Sequence, residues 1–166
     1  LWKQAYRETH PFVEQLWKTG GRMIARLAGG PPLDWGPVRI EPGRIILPNG
    51  CPMIYSDLNY HKDTESGEQY WRHKTRHGWA KLYGAKLVEN LIQALARVVI
   101  SQAMVRLKRL DYAAINMKHD AIWYALPQDR AQEHAQVIMT EMKRTPDWLP
   151  GIPLDAEGSL GARYGK

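Results

Sequence analysis

Apolar residues recur with a helical period over the first part of the chain. Val13, Leu16, Trp17, Ile24 and Leu27 keep roughly that spacing, so residues 2–28 are expected to be helical. Pro11 is expected to open a second helical segment with Thr9 as its N-cap, because proline lacks the amide a first turn leaves unused and a hydroxyl can accept from the free amides. Gly29-Gly30-Pro31-Pro32 ends the pattern. Residues 38–56 read as strands: Arg44 to Leu47 and Pro52 to Tyr55 flank Pro48-Asn49-Gly50, and Asn-Gly tolerates the positive φ of a hairpin turn. Residues 57–68 are polar and loop-like, and Gln69 to Arg76 suits a short extended segment. Trp79 to Leu110 is the longest periodic stretch. Leu87, Leu91, Leu95, Val98 and Val105 lie close to one face, and Lys86, Asn90, Gln93, Arg97 and Ser101 follow another. Asp111 and Tyr112 break this pattern. Ala113 to Lys118 and Ile122 to Leu126 are expected to pair as strands about His119 and Asp120, with Pro127 ending the hairpin. Gln128 to Arg144 returns to helical spacing through Ala131, Ala135, Ile138 and Met142, and the Pro- and Gly-rich tail from Pro146 is expected to be extended.

This order of elements predicts an α+β fold, with long helices packed on a small antiparallel sheet and the 118–121 turn at a sheet end. The length, 166 residues, is about one domain's worth. A formal net charge of +6 favours a polyanionic partner through phosphate neutralisation, although the same surplus also serves solubility. Cys51 is the single cysteine, so no internal disulfide forms, which suits a reducing, cytoplasmic compartment. No apolar run is long enough for a membrane helix, and no membrane partner is expected. Leu1 already stands inside helix-like sequence with no signal-peptide pattern, so an N-terminal part is expected to precede it. Seven Trp and eight Tyr against one Phe suit wet interfaces as well as cores.

The sharpest candidate chemistry is Met117-Lys118-His119-Asp120 between two apolar strands. A carboxylate at a tight hairpin tip is held on rigid backbone, where it can meet a second carboxylate and share two Mg²⁺ ions with it. Asp is also simply common in turns. The polar helix stripe offers Lys86 and Arg97 to phosphates, and Asn90 and Gln93 to minor-groove base edges, whose acceptors are present at every base pair. The same stripe fits a solvated helix face. Arg72, His73, Lys74, Arg76, His77 and Lys81 form a basic run suited to backbone binding. His73 and His77 lack cysteine partners and a third ligand, so zinc is not expected. Arg106, Lys108 and Arg109 suit a helix C-terminus. There is no Walker-type glycine loop and no Gly-x-Ser-x-Gly elbow, and Cys51 reads as a structural thiol.

The order of the motifs resembles the family A (polymerase-I-like) DNA polymerases, phage type. Tyr6-Arg7-Glu8-Thr9-His10-Pro11 with Leu16-Trp17-Lys18 resembles the helix after that family's fingers motif. Leu47-Pro48-Asn49-Gly50 with Tyr55 looks like its Leu-Pro-Ser/Asn-Gly hairpin. Tyr83 to Ala94, the most specific part, is similar to its Tyr-Gly-Gly-Lys-Leu-x-Glu-Asn-x-x-Gln-Ala helix, and Lys118-His119-Asp120 to motif C. Trp148 to Pro153, Ala156-Glu157-Gly158 and Tyr164 resemble the phage-type C-terminus.

The resemblance implies a helical segment over residues 1–36 following the fingers motif, and a C-terminal palm portion over 37–166 ending its sheet in a motif C hairpin. It implies template-directed, Mg²⁺-dependent addition of dNTPs to a primer 3′-hydroxyl, with primer-template DNA and the N-terminal remainder of the polymerase as partners, inside a bacterial or phage-infected cell. Asp120 would be the metal ligand and His119 would lie near the primer terminus. Gln93, with Asn90 or Glu89, would face the duplex, and Lys86 and Arg97 are further DNA contacts. Three departures stand out. Ala121 replaces the usual Glu after Asp120, Ala85 replaces a glycine, and neither motif A nor the Arg-x-x-x-Lys fingers motif occurs in these residues. Asp57 does not make a convincing motif A, so the second metal-binding Asp is expected elsewhere and this fragment is expected to be inactive alone. A non-catalytic DNA-binding remnant of a prophage polymerase is the alternative. A single-subunit RNA polymerase relative is a third, against which the Tyr83 helix argues.

Overall fold

The computed structural model of the chain describes residues 2–163, without the side chains of Trp2 and Lys3. Tyr164, part of the C-terminal resemblance, lies outside them. The fold is α+β, with strands gathered into three small antiparallel sheets rather than a single one. The chain divides into two compact units, residues 1–95 and 96–166.

In the first unit, α1 (Trp2–Thr9) gives way to α2 (Pro11–Leu27). His10, not Thr9, occupies the N-cap of α2 and makes no side-chain cap. Thr9 completes α1 instead: its hydroxyl donates to the Ala5 carbonyl at 2.8 Å, the bond a last-turn threonine makes one turn back. Pro11 then opens α2, as expected. A four-stranded meander follows, made of β1 (Leu33–Trp35), β2 (Val38–Glu41), β3 (Arg44–Ile46) and β4 (Pro52–Ile54). The Asn49-Gly50 turn joins β3 to β4 as the sequence predicts, with Gly50 at φ 81°. Ile24 and Leu27 of α2 are buried, as are Val38, Ile40 and Ile45 of the sheet.

Two strands replace expected loop and helix. β5 (Ser56–Lys62) lies in the segment read as loop, and β7 (Gly78–Leu82) in the segment read as the start of the long helix. They flank β6 (Gln69–Thr75) in a three-stranded sheet. β5 escapes a pattern reading because a register shift between Ser56 and Asn59, with Asp57 at φ 53°, interrupts its alternation. β7 has one buried residue, Leu82, and that leads into α3 (Gly84–Arg109).

The start of α3 meets α2 backbone to backbone. A Cβ on Gly84 would lie 2.0 Å from the Trp17 carbonyl oxygen, and one on Gly20 would lie 2.6 Å from the Gly84 oxygen. Only glycine permits this approach at either position. It seats Leu87, Val88 and Leu91 in the core.

In the second unit, the later part of α3 buries Val98, Ala103 and Leu107, while Val105 stays 52% exposed. The apolar stripe expected through Val105 is therefore not continuous, because packing here selects residues off the Leu87 line. β8 (Ala114–Lys118) and β9 (Ala121–Tyr124) form a hairpin. A 3₁₀ turn (Gln128–Arg130) precedes α4 (Ala131–Lys143), which buries Ile138. Arg106 anchors the end of α4 with an ion pair to Glu141 at 3.0 Å and donors to the carbonyls of Glu141 and Arg144. The tail is held by Trp148, whose indole N–H donates to Gln102 at 2.8 Å, and by Lys143–Asp155 at 2.7 Å.

Candidate functional site

The hairpin tip is built as the sequence suggests. Lys118 pairs with Ala121, leaving His119 and Asp120 as a two-residue turn. His119 takes φ 56°, the left-handed conformation that a tight turn requires and that β-branched residues resist. Both side chains are exposed. Arg97 of α3 reaches this turn: its guanidinium donates to the His119 carbonyl oxygen at 3.3 Å and contacts Met117 Sδ at 3.3 Å. A member of the predicted polar stripe thus braces the loop that carries Asp120. The contact spans 22 residues of sequence, so spacing alone did not reveal it.

The first-unit members of the stripe form their own chain of contacts. Glu89 accepts from Lys86 at 3.1 Å and from Gln93 at 3.3 Å. Asn90 turns inward and donates to the Tyr55 hydroxyl at 3.3 Å. Tyr55 is 3% exposed, and burial pushes its hydroxyl above the ordinary tyrosine range, opposed by the Asn90 bond. Asn90 therefore ties the helix to the segment after the Asn49-Gly50 hairpin, while Glu89 and Gln93 remain at the surface.

Asp120 is a chemically suitable ligand for Mg²⁺, which prefers oxygen donors and keeps several waters. Among the described residues, however, no group of three or more His, Cys, Asp or Glu side chains is placed to hold a metal ion. The two-residue turn itself carries one carboxylate, that of Asp120. His73 and His77, on β6 and in the turn after it, form no such group either.

One relative stands out among curated proteins. Over 128 residues the chain is 30% identical to the DNA polymerase of Bacillus phage SP02. The match takes in 74% of this chain and 19% of that polymerase. The chain is thus related to a phage DNA polymerase and spans about a fifth of its length. No protein-family model matches the chain, and no solved structure does. Among the described residues no helix is long and apolar enough to cross a membrane.

Two features lay outside the sequence reading. One is a hydrogen bond of 2.7 Å between the Tyr112 hydroxyl and His134 Nδ1, which links the break after α3 to α4. The other is the open face of the β5–β7 sheet, hidden because β5 and β7 were not read as strands.

Proposed function

We propose that this chain is part of a DNA-directed DNA polymerase of family A, phage type, and supplies the motif C carboxylate, Asp120, to a two-metal nucleotidyl-transfer site. The observation that carries the reading is the 128-residue match to a phage DNA polymerase. It is supported by a tight two-residue turn that carries His119 and Asp120 next to each other. When bound, Mg²⁺ would activate the primer 3′-hydroxyl and neutralise charge on the departing pyrophosphate. Asp120 would hold the metal, with a second carboxylate supplied by another part of the polymerase. His119 would lie beside the primer terminus. Arg97 would keep the tip in place, and its outward edge, with Lys86, would meet phosphates. Gln93 and Glu89 would face the duplex, with Asn90 positioning their helix from behind.

Primer extension with Mg²⁺ and dNTPs tests this, run beside DNA binding and an Asp120→Asn variant. Salt-sensitive DNA binding without extension by this chain alone is the expected result. Extension that Asp120→Asn abolishes would place a second carboxylate within these residues and overturn the shared-site reading. Failure to bind DNA even at low salt would sink the reading as a whole.

Ala121, where the family carries Glu, favours a second reading, a non-catalytic DNA-binding remnant. The two separate on activity: only the first predicts extension once the part bearing motif A is joined to this chain.

A further inference from the structure

The β5–β7 sheet has two unlike faces. Residues paired across antiparallel strands project to the same side. Arg72 pairs with Asn59 and Lys81, Lys74 with Trp79, and Tyr70 with His61, so one face carries Tyr70, Arg72, Lys74, Trp79 and Lys81 together. The opposite face carries Tyr60, Trp71 and Leu82; its Leu82 end is buried at 2% exposure, while Tyr60 at the other strand is 55% exposed. On the open face, cations and rings interleave. The Arg72 guanidinium stands 4.2 Å from the Trp79 ring centroid, and Lys81 Nζ stands 4.0 Å from that of Tyr70. Trp79 is 50% exposed, a large apolar surface left in water on a solvated sheet. Lys81 pairs with Glu68 at 2.7 Å, but both partners are solvated and such a pair exchanges readily. Among the described residues neither Arg72 nor Lys74 has a carboxylate partner within ion-pair distance.

From this face we infer a second nucleic-acid contact, a platform for single-stranded DNA that stacks a base on Trp79 and holds the adjoining phosphates with Arg72, Lys74 and Lys81. The partner is a polyanion because the charge is positive. It is single-stranded because an exposed ring offers its π-face only to an unstacked base. Arg72 keeps the ring oriented from one side, as its bond to Asn59 at 3.3 Å keeps Arg72 itself in place. In the polymerase reading on which this rests, the ligand is an unpaired stretch of template. Stacking on a ring and charge against phosphates do not depend on base identity, so the contact tolerates any sequence.

The test is fluorescence anisotropy of the 166-residue chain with a labelled oligo(dT) and with a labelled duplex, each over a salt series. Trp79→Ala is expected to weaken single-strand binding by roughly 5- to 150-fold, the range for losing one base-stacking contact, and to leave duplex binding nearly unchanged. Trp79→Tyr should retain most of the affinity and Trp79→Leu should not. That comparison separates stacking from folding if the alanine variant melts. Arg72→Gln with Lys74→Gln should lower the single-strand salt slope by about 1.4, two phosphate contacts at ~0.7 each. Equal losses on both DNAs would overturn the platform. So would unchanged binding by the sheet variants while Lys86→Gln with Arg97→Gln weakens it, which would leave the polymerase reading standing. Absence of DNA binding by the unaltered chain would overturn both.

Discussion

Replacing Gly84 by alanine adds one methyl group where two helices touch through their backbones. The new Cβ would lie 2.0 Å from the Trp17 carbonyl oxygen and 2.7 Å from the Gly21 nitrogen, both atoms of the α2 backbone. No rotamer change relieves such a clash. The helices must part by roughly 1 Å or more to restore ordinary van der Waals separation. Parting them loosens Leu87 and Val88, which are 0% and 5% exposed. Overpacking typically costs about 1–3 kcal/mol, and rigid obstacles put this case near the upper end. At about 2–4 °C per kcal/mol for a chain of this size, the melting temperature should fall by ~6–12 °C. Gly21→Ala is the matched control, since a Cβ there meets nothing within 4 Å. Gly21 lies inside α2, so alanine should stabilise by ~0.5–1 kcal/mol through reduced backbone freedom in the unfolded chain. Thermal and urea unfolding followed by circular dichroism would measure both. A Gly84→Ala protein melting within about 2 °C of the parent, or two variants shifted in the same direction, would refute the packing argument.

His73 makes stability pH-dependent. Burial holds its imidazole below the ordinary histidine range, partly opposed by the Lys74 backbone. Its stabilising contribution is full above the unfolded pKa near 6.5 and is lost as pH falls through the lower folded value, because the unfolded chain takes the proton first. The urea midpoint should therefore drop between pH 7 and about 5.5, and His73→Gln should flatten that slope; an equal slope in the variant would assign the effect to other groups. Arg97→Ala removes the donors to the His119 carbonyl and Met117 Sδ. These contacts are exposed, so global stability should change by less than ~1 kcal/mol, while amide exchange at residues 119–121 accelerates. Unchanged exchange there would mean that the turn holds itself.

The elements legible from sequence were those with one dominant local signal. Pro11 and the repeat from Val13 to Leu27 marked α2, and Asn49-Gly50 and His119-Asp120 marked their hairpins. β5 was hidden because it is half-exposed and bulged at Asp57, so neither face keeps an apolar alternation. β7 was absorbed into the helix because Trp79 and Leu82 also fit a helical repeat on to Tyr83. The carboxylate and the polar stripe were readable as single residues, but their engagements were not. That Asn90 faces Tyr55 and Arg97 faces the His119 turn depends on contacts 35 and 22 residues apart. The crossing at Gly20 and Gly84 was equally hidden, since a glycine that admits a neighbouring backbone looks in sequence like one that breaks a helix.

His119 holds a conformation that glycine would adopt more cheaply. A non-glycine residue at φ 56° carries strain of order 1 kcal/mol or more, set against folding and repeated in each molecule made. Simple thermodynamic improvement would exchange the imidazole for a hydrogen atom. A library screened for heat resistance alone should thus drift toward glycine at this position, and one screened for the DNA synthesis proposed above should hold the ring. Position 119 is where those two selections would part, and the direction of drift reports which of them a lineage has been under.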